Sequence, residues 1–212
     1  MENSNATLVT EENAYRDLFT YIQQRVSLSE ADKAFIKQRF TLRKIKRKSY
    51  FLREGDLGFE QAFIISGTMR VFYIDGKTQE HVLYFGFKDW WIGDLASFEL
   101  RSPSQLNVQA LEDTWVLAFT HNGIDEIFQH IPQMERLFRM MAQRTLAVLQ
   151  KRLFLTVSAS AEERYLALIE RHPSIEQLVP QHQIASYLGI LPESLSRMKK
   201  QRIQKSRAQK AN

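Results

Sequence analysis

The chain has 212 residues, 44% of them hydrophobic and 25% charged, with a formal net charge of +5 and no cysteine. That length leaves room for one large domain or two small ones, and the missing thiols exclude disulfides, thiolate metal ligands and cysteine-ligated iron–sulfur clusters. No run approaches the roughly eighteen apolar residues of a membrane span, and the polar, acidic start MENSNATLVTEENAYRD lacks a secretory pattern, so a reducing cytoplasm is the expected compartment and no membrane is an expected partner.

Residues 1–12 read as disordered. Ala14–Arg25 carries Tyr15, Leu18, Phe19 and Ile22 at helical spacing. Ser27-Leu28-Ser29-Glu30 reads as a capping box that opens a second helix through about Phe40, with Phe35 and Ile36 inward. Thr41–Tyr50 then sets Leu42 and Ile45 among five basic residues, the pattern of a strand or loop edge with a solvated cationic face. Residues 51–120 alternate short apolar runs with turn residues. Glu54–Gly58 is a turn, Gln61–Ser66 a strand ended by Gly67, and Met69–Ile74 another strand. Asp75-Gly76 is the strongest hairpin dipeptide in the chain, and His81–Phe87 returns from it. Breaks follow at Lys88-Asp89 and Gly93-Asp94, then strands at Asn107–Ala110 and Trp115–Thr120. So many short strands with no helix between them predict an antiparallel barrel or jelly roll.

His121–Ile131 reads as a short helix stopped by Pro132. From Gln133 to about Thr156 a longer helix carries Leu137, Phe138, Met141, Val148, Leu149 and Leu155, too many for one narrow stripe. One side can meet the barrel and the other a second copy of itself. Arg144, Lys151 and Arg152 interrupt any strict heptad, so a homodimer helix is expected without a register. Ser158–Ser160 is the hinge, and Ser160 with Glu163 caps a further helix with Tyr165, Leu166 and Ile169 inward, ending at His172-Pro173. A link, Ser174–Pro180, follows. The expected domains are residues 1–131 (sensor), 132–157 (dimerisation helix) and 158–212 (helix-turn-helix with a basic tail).

Gln181–Lys200, QHQIASYLGILPESLSRMKK, reads as the helix-turn-helix. Ile184, Ala185 and Leu188 share one helical face, Gly189 stands where the turn needs positive φ, and Pro192 opens the second helix. Leu195 and Met198 face inward, leaving Glu193, Ser194, Ser196, Arg197, Lys199 and Lys200 exposed, with Arg202 just beyond, as candidates for contact with double-stranded DNA. From Pro180 onward seven lysines and arginines stand against Glu193 alone, a net +6, so the residues before it carry −1 of the chain's +5. That concentration is an electrostatic footprint for phosphates. Residues 201–212 read as frayed or disordered.

This order, an α+β chain with an N-terminal antiparallel β jelly roll, a long helix and a C-terminal helix-turn-helix, resembles the bacterial regulators related to the cyclic-AMP receptor protein and the fumarate–nitrate reduction regulator. The local matches are Glu54-Gly55-Asp56, Ile65-Ser66-Gly67 and Trp91-Ile92-Gly93-Asp94-Leu95, the last similar to the family's F-I-G-E-L, which opens the cassette for a cyclic nucleotide's phosphate and ribose. Glu193-x-x-Ser196-Arg197 is similar to the E-x-x-S-R of the fumarate–nitrate branch. The resemblance implies base contacts from Glu193, Ser196 and Arg197, RNA polymerase as a partner, and weak effector contacts at Gly93, Asp94, Leu95, Ser104 and Gln105.

The chain departs from the family in three ways. Ser104, Gln105 and Leu106 stand where the cassette closes with Arg-Ser/Thr-Ala, so the phosphate's counter-charge is missing, and Arg101 lies three residues early, beyond Pro103. The iron–sulfur cysteines are absent. Twelve residues after Lys200 are too few for a two-stranded wing, so either the chain is wingless or it is shortened.

Other chemistry finds little support. The histidines His81, His121, His130, His172 and His182 form no H-x-H or H-x-x-x-H pair, no P-loop is present, and neither Ser97 nor Ser104 has a neighbouring histidine base. No enzyme, metal or cofactor is expected, and the aromatic run Tyr84, Phe85, Phe87, Trp90, Trp91 and Phe98 reads as core packing. Two readings stay open: a dimeric regulator that binds DNA, and a ligand-binding signalling module whose C-terminal helices contact protein. The +6 terminus favours the first.

Overall fold

The computed structural model of the chain describes residues 9–210. The first helix, α1 (Glu11–Gln23), begins inside the stretch expected to be disordered: the Thr10 hydroxyl accepts the Asn13 N–H at 3.2 Å, and Glu11 and Glu12 meet the positive end of the helix. The rest of that stretch, residues 1–8, lies outside the described residues. α2 (Glu30–Lys37) is capped by Ser29 and Asp32 rather than by Ser27 and Glu30, because the Ser29 side chain and the Asp32 carboxylate satisfy each other's backbone N–H groups. Phe40 belongs to the first strand instead of this helix.

Among the described residues eight strands follow: β1 (Phe40–Ile45), β2 (Tyr50–Leu52), β3 (Glu60–Ser66), β4 (Met69–Ile74), β5 (Glu80–Gly86), β6 (Trp91–Ile92), β7 (Asn107–Ala110) and β8 (Thr114–Thr120). They form two four-stranded sheets, ordered β1-β8-β3-β6 and β2-β7-β4-β5. The basic strand β1 pairs antiparallel with β8 from Phe40 opposite Phe119 to Ile45 opposite Thr114. Its cations find carboxylates: Arg43 is bidentate on Glu60 at 2.5 and 2.7 Å, and Lys44 reaches Asp113 at 2.8 Å. β6 and the short helix α3 (Leu95–Leu100) occupy the stretch read from sequence as breaks, since two residues and six are too few to show a period.

The remaining helices are α4 (His121–His130), α5 (Gln133–Ser158), α6 (Ala161–Arg171), α7 (Ile175–Leu178), α8 (Gln181–Leu188) and α9 (Pro192–Lys210). α7 falls inside the expected link and exists because Ile175 is fully buried. α9 continues through Lys210, so most of the tail expected to fray is helical, while residues 211–212 lie outside the described residues. Among the described residues no strand follows α9, and no helix is long and apolar enough to cross a membrane.

The chain divides into two compact units, one through Val71 together with Phe85–Ala142, the other Phe72–Tyr84 together with the chain from Gln143. The first packs Leu18 and Ile22 of α1, Phe63 of β3, Leu117 and Phe119 of β8, Ile127 of α4 and Leu137 of α5 into one core. Fully burying such a side chain stabilises the fold by about 1.5–3 kcal/mol. Trp91 is ringed by Phe63, Phe119 and Phe138 at centroid distances of 5.0–5.5 Å. The second unit buries Tyr165, Leu168, Ile175, Val179, Ile184, Ala185, Leu188 and Leu195 among its short helices. Its hairpin is closed by Asp75, whose carboxylate accepts the N–H groups of Lys77 and Gln79 at 2.9 Å. The left-handed residue of that turn is Thr78 and not Gly76, so the connection is longer than the two-residue turn Asp-Gly suggests.

Candidate nucleic-acid interface

α8 and α9 are joined by the expected short turn at Gly189, and the carbonyls that α8 leaves open find donors. Gly189 is left-handed at φ 69°, which lets the Ile190 N–H reach back to the Ala185 carbonyl and the Gly189 N–H to that of Ser186, both at 3.0 Å. The last two carbonyls of α8 are met by arginines. Arg152 of α5 donates to Tyr187, with its guanidinium 4.2 Å from the centre of that ring. Arg164 of α6 donates to Leu188 at 3.1 Å and to Ala159 at 2.8 Å. Cations suit the negative end of a helix, and all four carbonyls that a helix end leaves open are thereby paired.

The structure divides the seven candidate DNA contacts. Glu193, Arg197 and Lys200 are exposed, with Ser194 and Ser196 half-buried beside them. Offsets of 4 and 7 from Glu193 put the three charged residues on one helical face. Lys199 and Arg202 lie on the other side. Lys199 pairs with Glu176 of α7 at 2.5 Å, and Arg202 stands over the Tyr165 ring. Both side chains turn toward the protein's own helices, in line with the buried Leu195.

Glu176 is the centre of that inner side. Its carboxylate also accepts the Tyr165 hydroxyl at 2.7 Å. Burial, then the hydrogen bond to Glu176 and its charge, pushes the Tyr165 hydroxyl above its ordinary range. For Glu176 burial acts upward, but the hydrogen bonds from Lys199 and Tyr165 and the nearby cations outweigh it and hold the carboxyl below its ordinary value. Sequence reasoning missed this role for Glu176, whose stretch shows no apolar period.

The candidate effector residues gather only in part. Asp94 is 5% exposed and caps α3, one carboxylate oxygen accepting the N–H groups of Ala96 and Ser97 at 3.1 and 3.2 Å. Its other oxygen accepts the Ser104 hydroxyl at 2.8 Å. Ser104 is buried too, and its backbone is tied to Gly55 and Asp56. Asp94 and Ser104 thus bind each other rather than standing open to a ligand. Gly93 ends β6 opposite Gln61, whose side chain would lie 3.0 Å from a Cβ placed there. Leu95 and Gln105 face solvent. Arg101, 55% exposed on its side chain, turns to Asn122 and Asp125 at 3.4 and 3.9 Å. Among the described residues no cluster of three or more His, Asp or Glu gathers to hold a metal ion.

The jelly roll, with its Trp91–Leu95 segment leading into α3, is the architecture of a cyclic nucleotide-binding domain, and residues 42–130 match the family model of that name. Beyond that domain the chain is similar to regulators related to the cyclic-AMP receptor protein and the fumarate–nitrate reduction regulator. It is 25% identical over 168 residues to the transcriptional activator protein Anr of Pseudomonas protegens, covering 74% of this chain and 68% of that one. The transcriptional activator FnrA of Stutzerimonas stutzeri matches to the same extent. Among solved structures, FixK2 from Bradyrhizobium japonicum is similar with a TM-score of 0.68 at 17% identity, over 79% of this chain and 86% of its own. The c-di-GMP-responsive regulator CLP of Xanthomonas campestris reaches 0.69 at 12% identity, over 84% and 93%. At these identities the two structures share the fold.

Proposed function

We propose that this chain is a dimeric, sequence-specific DNA-binding transcription regulator of the cytoplasm whose sensor domain does not take cyclic AMP in the family's usual way. It is a regulator rather than an enzyme, as its relatives are by name. The reading is carried by one observation: Glu193, Arg197 and Lys200 stand together on the exposed side of α9, behind a turn whose geometry Gly189 fixes. Arg can pair bidentately with guanine and Glu can accept from the cytosine amino group. Ser194 and Ser196 are half-buried beside these residues on α9.

Dimerisation is supported by α5. Met134 and Leu137 are buried, while Leu146, Leu149 and Leu153 remain exposed at successive spacings of 3 and 4, with Phe154 and Val157 beside them. That stripe is a coiled-coil seam suited to a second copy of itself. Two reading helices would then meet half-sites about 34 Å apart. RNA polymerase is the further partner by family resemblance.

Selection of bound duplexes from a random pool tests the reading. A near-palindromic site should emerge. On that site Arg197→Ala should cost about 1–3 kcal/mol per half-site and relax preference at one base pair. An equal loss on selected and random duplexes would remove the base-reading role.

A further inference from the structure

The part of the β4–β5 hairpin that belongs to the second unit, Phe72–Tyr84, meets α8 there. β5 is the last strand of its sheet, so one side of its backbone has no strand to pair with. Ser186, in the last turn of α8, fills that edge. Its hydroxyl accepts the Val82 N–H at 3.0 Å and donates to the Glu80 carbonyl at 2.9 Å. A serine inside a helix ordinarily bonds its own preceding turn and weakens it slightly. Ser186 instead spends both hydrogen-bonding functions on a strand far away in the chain, with Glu80 106 residues earlier. Arg152 closes the same junction from α5, donating to the Leu83 carbonyl of β5 and, at 3.3 Å, to the Tyr187 carbonyl of α8.

We propose that Ser186, Arg152 and the edge of β5 form a clasp that positions the helix-turn-helix for base reading, making Ser186 and Arg152 positioning residues of that site. The inference rests on the DNA-reading function proposed above and adds a part of the molecule to it. The clasp grips the C-terminal turn of α8, one Gly189 turn away from α9, and leaves Glu193, Arg197 and Lys200 exposed. The clasped arrangement is therefore the reading-competent one. A loose head must pay orientational entropy to place its side chains on base edges, whereas phosphate contacts tolerate imprecise docking. Loss of the clasp should lower affinity for the selected site and spare random DNA.

The test uses the full chain, its selected duplex and a random duplex, with Ser186→Ala and Ser186→Thr. Ser186→Ala should bind the selected site on the order of tenfold more weakly per dimer, the size of one modest hydrogen bond lost from each head. Random DNA should change less than about twofold, and the Val82 amide should exchange with solvent faster. Ser186→Thr, which keeps the hydroxyl, should restore both readouts. Unchanged affinity of Ser186→Ala for the selected site, or an equal loss on random DNA, overturns the positioning role. An unchanged Val82 exchange rate overturns the clasp itself. If the wild-type chain binds no duplex at all, the DNA-reading function falls instead, and Val82 exchange still judges the clasp.

Discussion

Lys199 and Lys200 are adjacent in sequence and face opposite ways. Lys200 is exposed beside Arg197, and Lys199 is neutralised by Glu176. That placement gives Glu176 two contacts: it satisfies the buried Tyr165 hydroxyl, and it pairs with Lys199, which on the proposed function keeps one positive charge off the DNA. Glu176→Gln separates them, because the amide oxygen can still accept from Tyr165 while the charge that holds Lys199 is gone. Glu176→Ala would not, since an unpartnered buried hydroxyl costs about 1–3 kcal/mol. With Gln, Lys199 is released to meet a phosphate. Random-DNA affinity should rise, discrimination should fall, and the slope of log K against log salt should steepen by about 0.9 per head. Anisotropy titrations across a salt series measure this, and an unchanged slope would show that Lys199 never competes between Glu176 and phosphate.

At the scale of elements, α5 carries two unlike halves. Its start is part of a buried core through Met134 and Leu137, and its later turns expose Leu146, Leu149 and Leu153. A charge introduced on the later turns touches none of the first core, so Leu149→Lys should leave the fold intact and yield a monomer at micromolar concentration by sedimentation. A dimer that persists in this variant would place the interface elsewhere. Elements with a strong period or strong punctuation were legible in the sequence: β4 and β7 to the residue, α8 from Ile184, Ala185 and Leu188, the α6 cap from Ser160 and Glu163. Those set by tertiary contact were not. β6 is two residues that exist because they pair with β3, and α7 is four residues held by Ile175. The exposure of Glu193, Arg197 and Lys200 was visible because a helical period predicts it. The inner pairing of Lys199 was not, because Glu176 comes from another helix. Arg152 did leave a trace, as a charge interrupting an apolar stripe, but only the fold shows that it serves the end of α8.

For the molecule as a whole the decisive question is whether a small anion enters the sensor. A cyclic phosphate brings a negative charge, and burying it without a cation costs several kcal/mol. By the family resemblance Ser104 stands where the cassette would carry its phosphate arginine, and Ser104 is already bonded to Asp94. Asp94 is itself an anion at the start of α3, where it takes the backbone donors of Ala96 and Ser97. A ligand phosphate near this cassette would have to displace that carboxylate or sit against its charge. Arg101, the cation nearest Ser104 in the sequence, is turned to Asn122 and Asp125. One missing charged hydrogen bond, about 1.5–3 kcal/mol, already weakens binding roughly tenfold to a hundredfold. Calorimetric titration of cyclic AMP or cyclic GMP should therefore give no saturable heat through the micromolar range. Asp94→Ala should act on stability instead, losing a helix cap and a buried acceptor for about 1–3 kcal/mol in urea unfolding. A low-micromolar isotherm that Asp94→Ala abolishes without loss of stability would reverse this picture and make Asp94 a ligand contact.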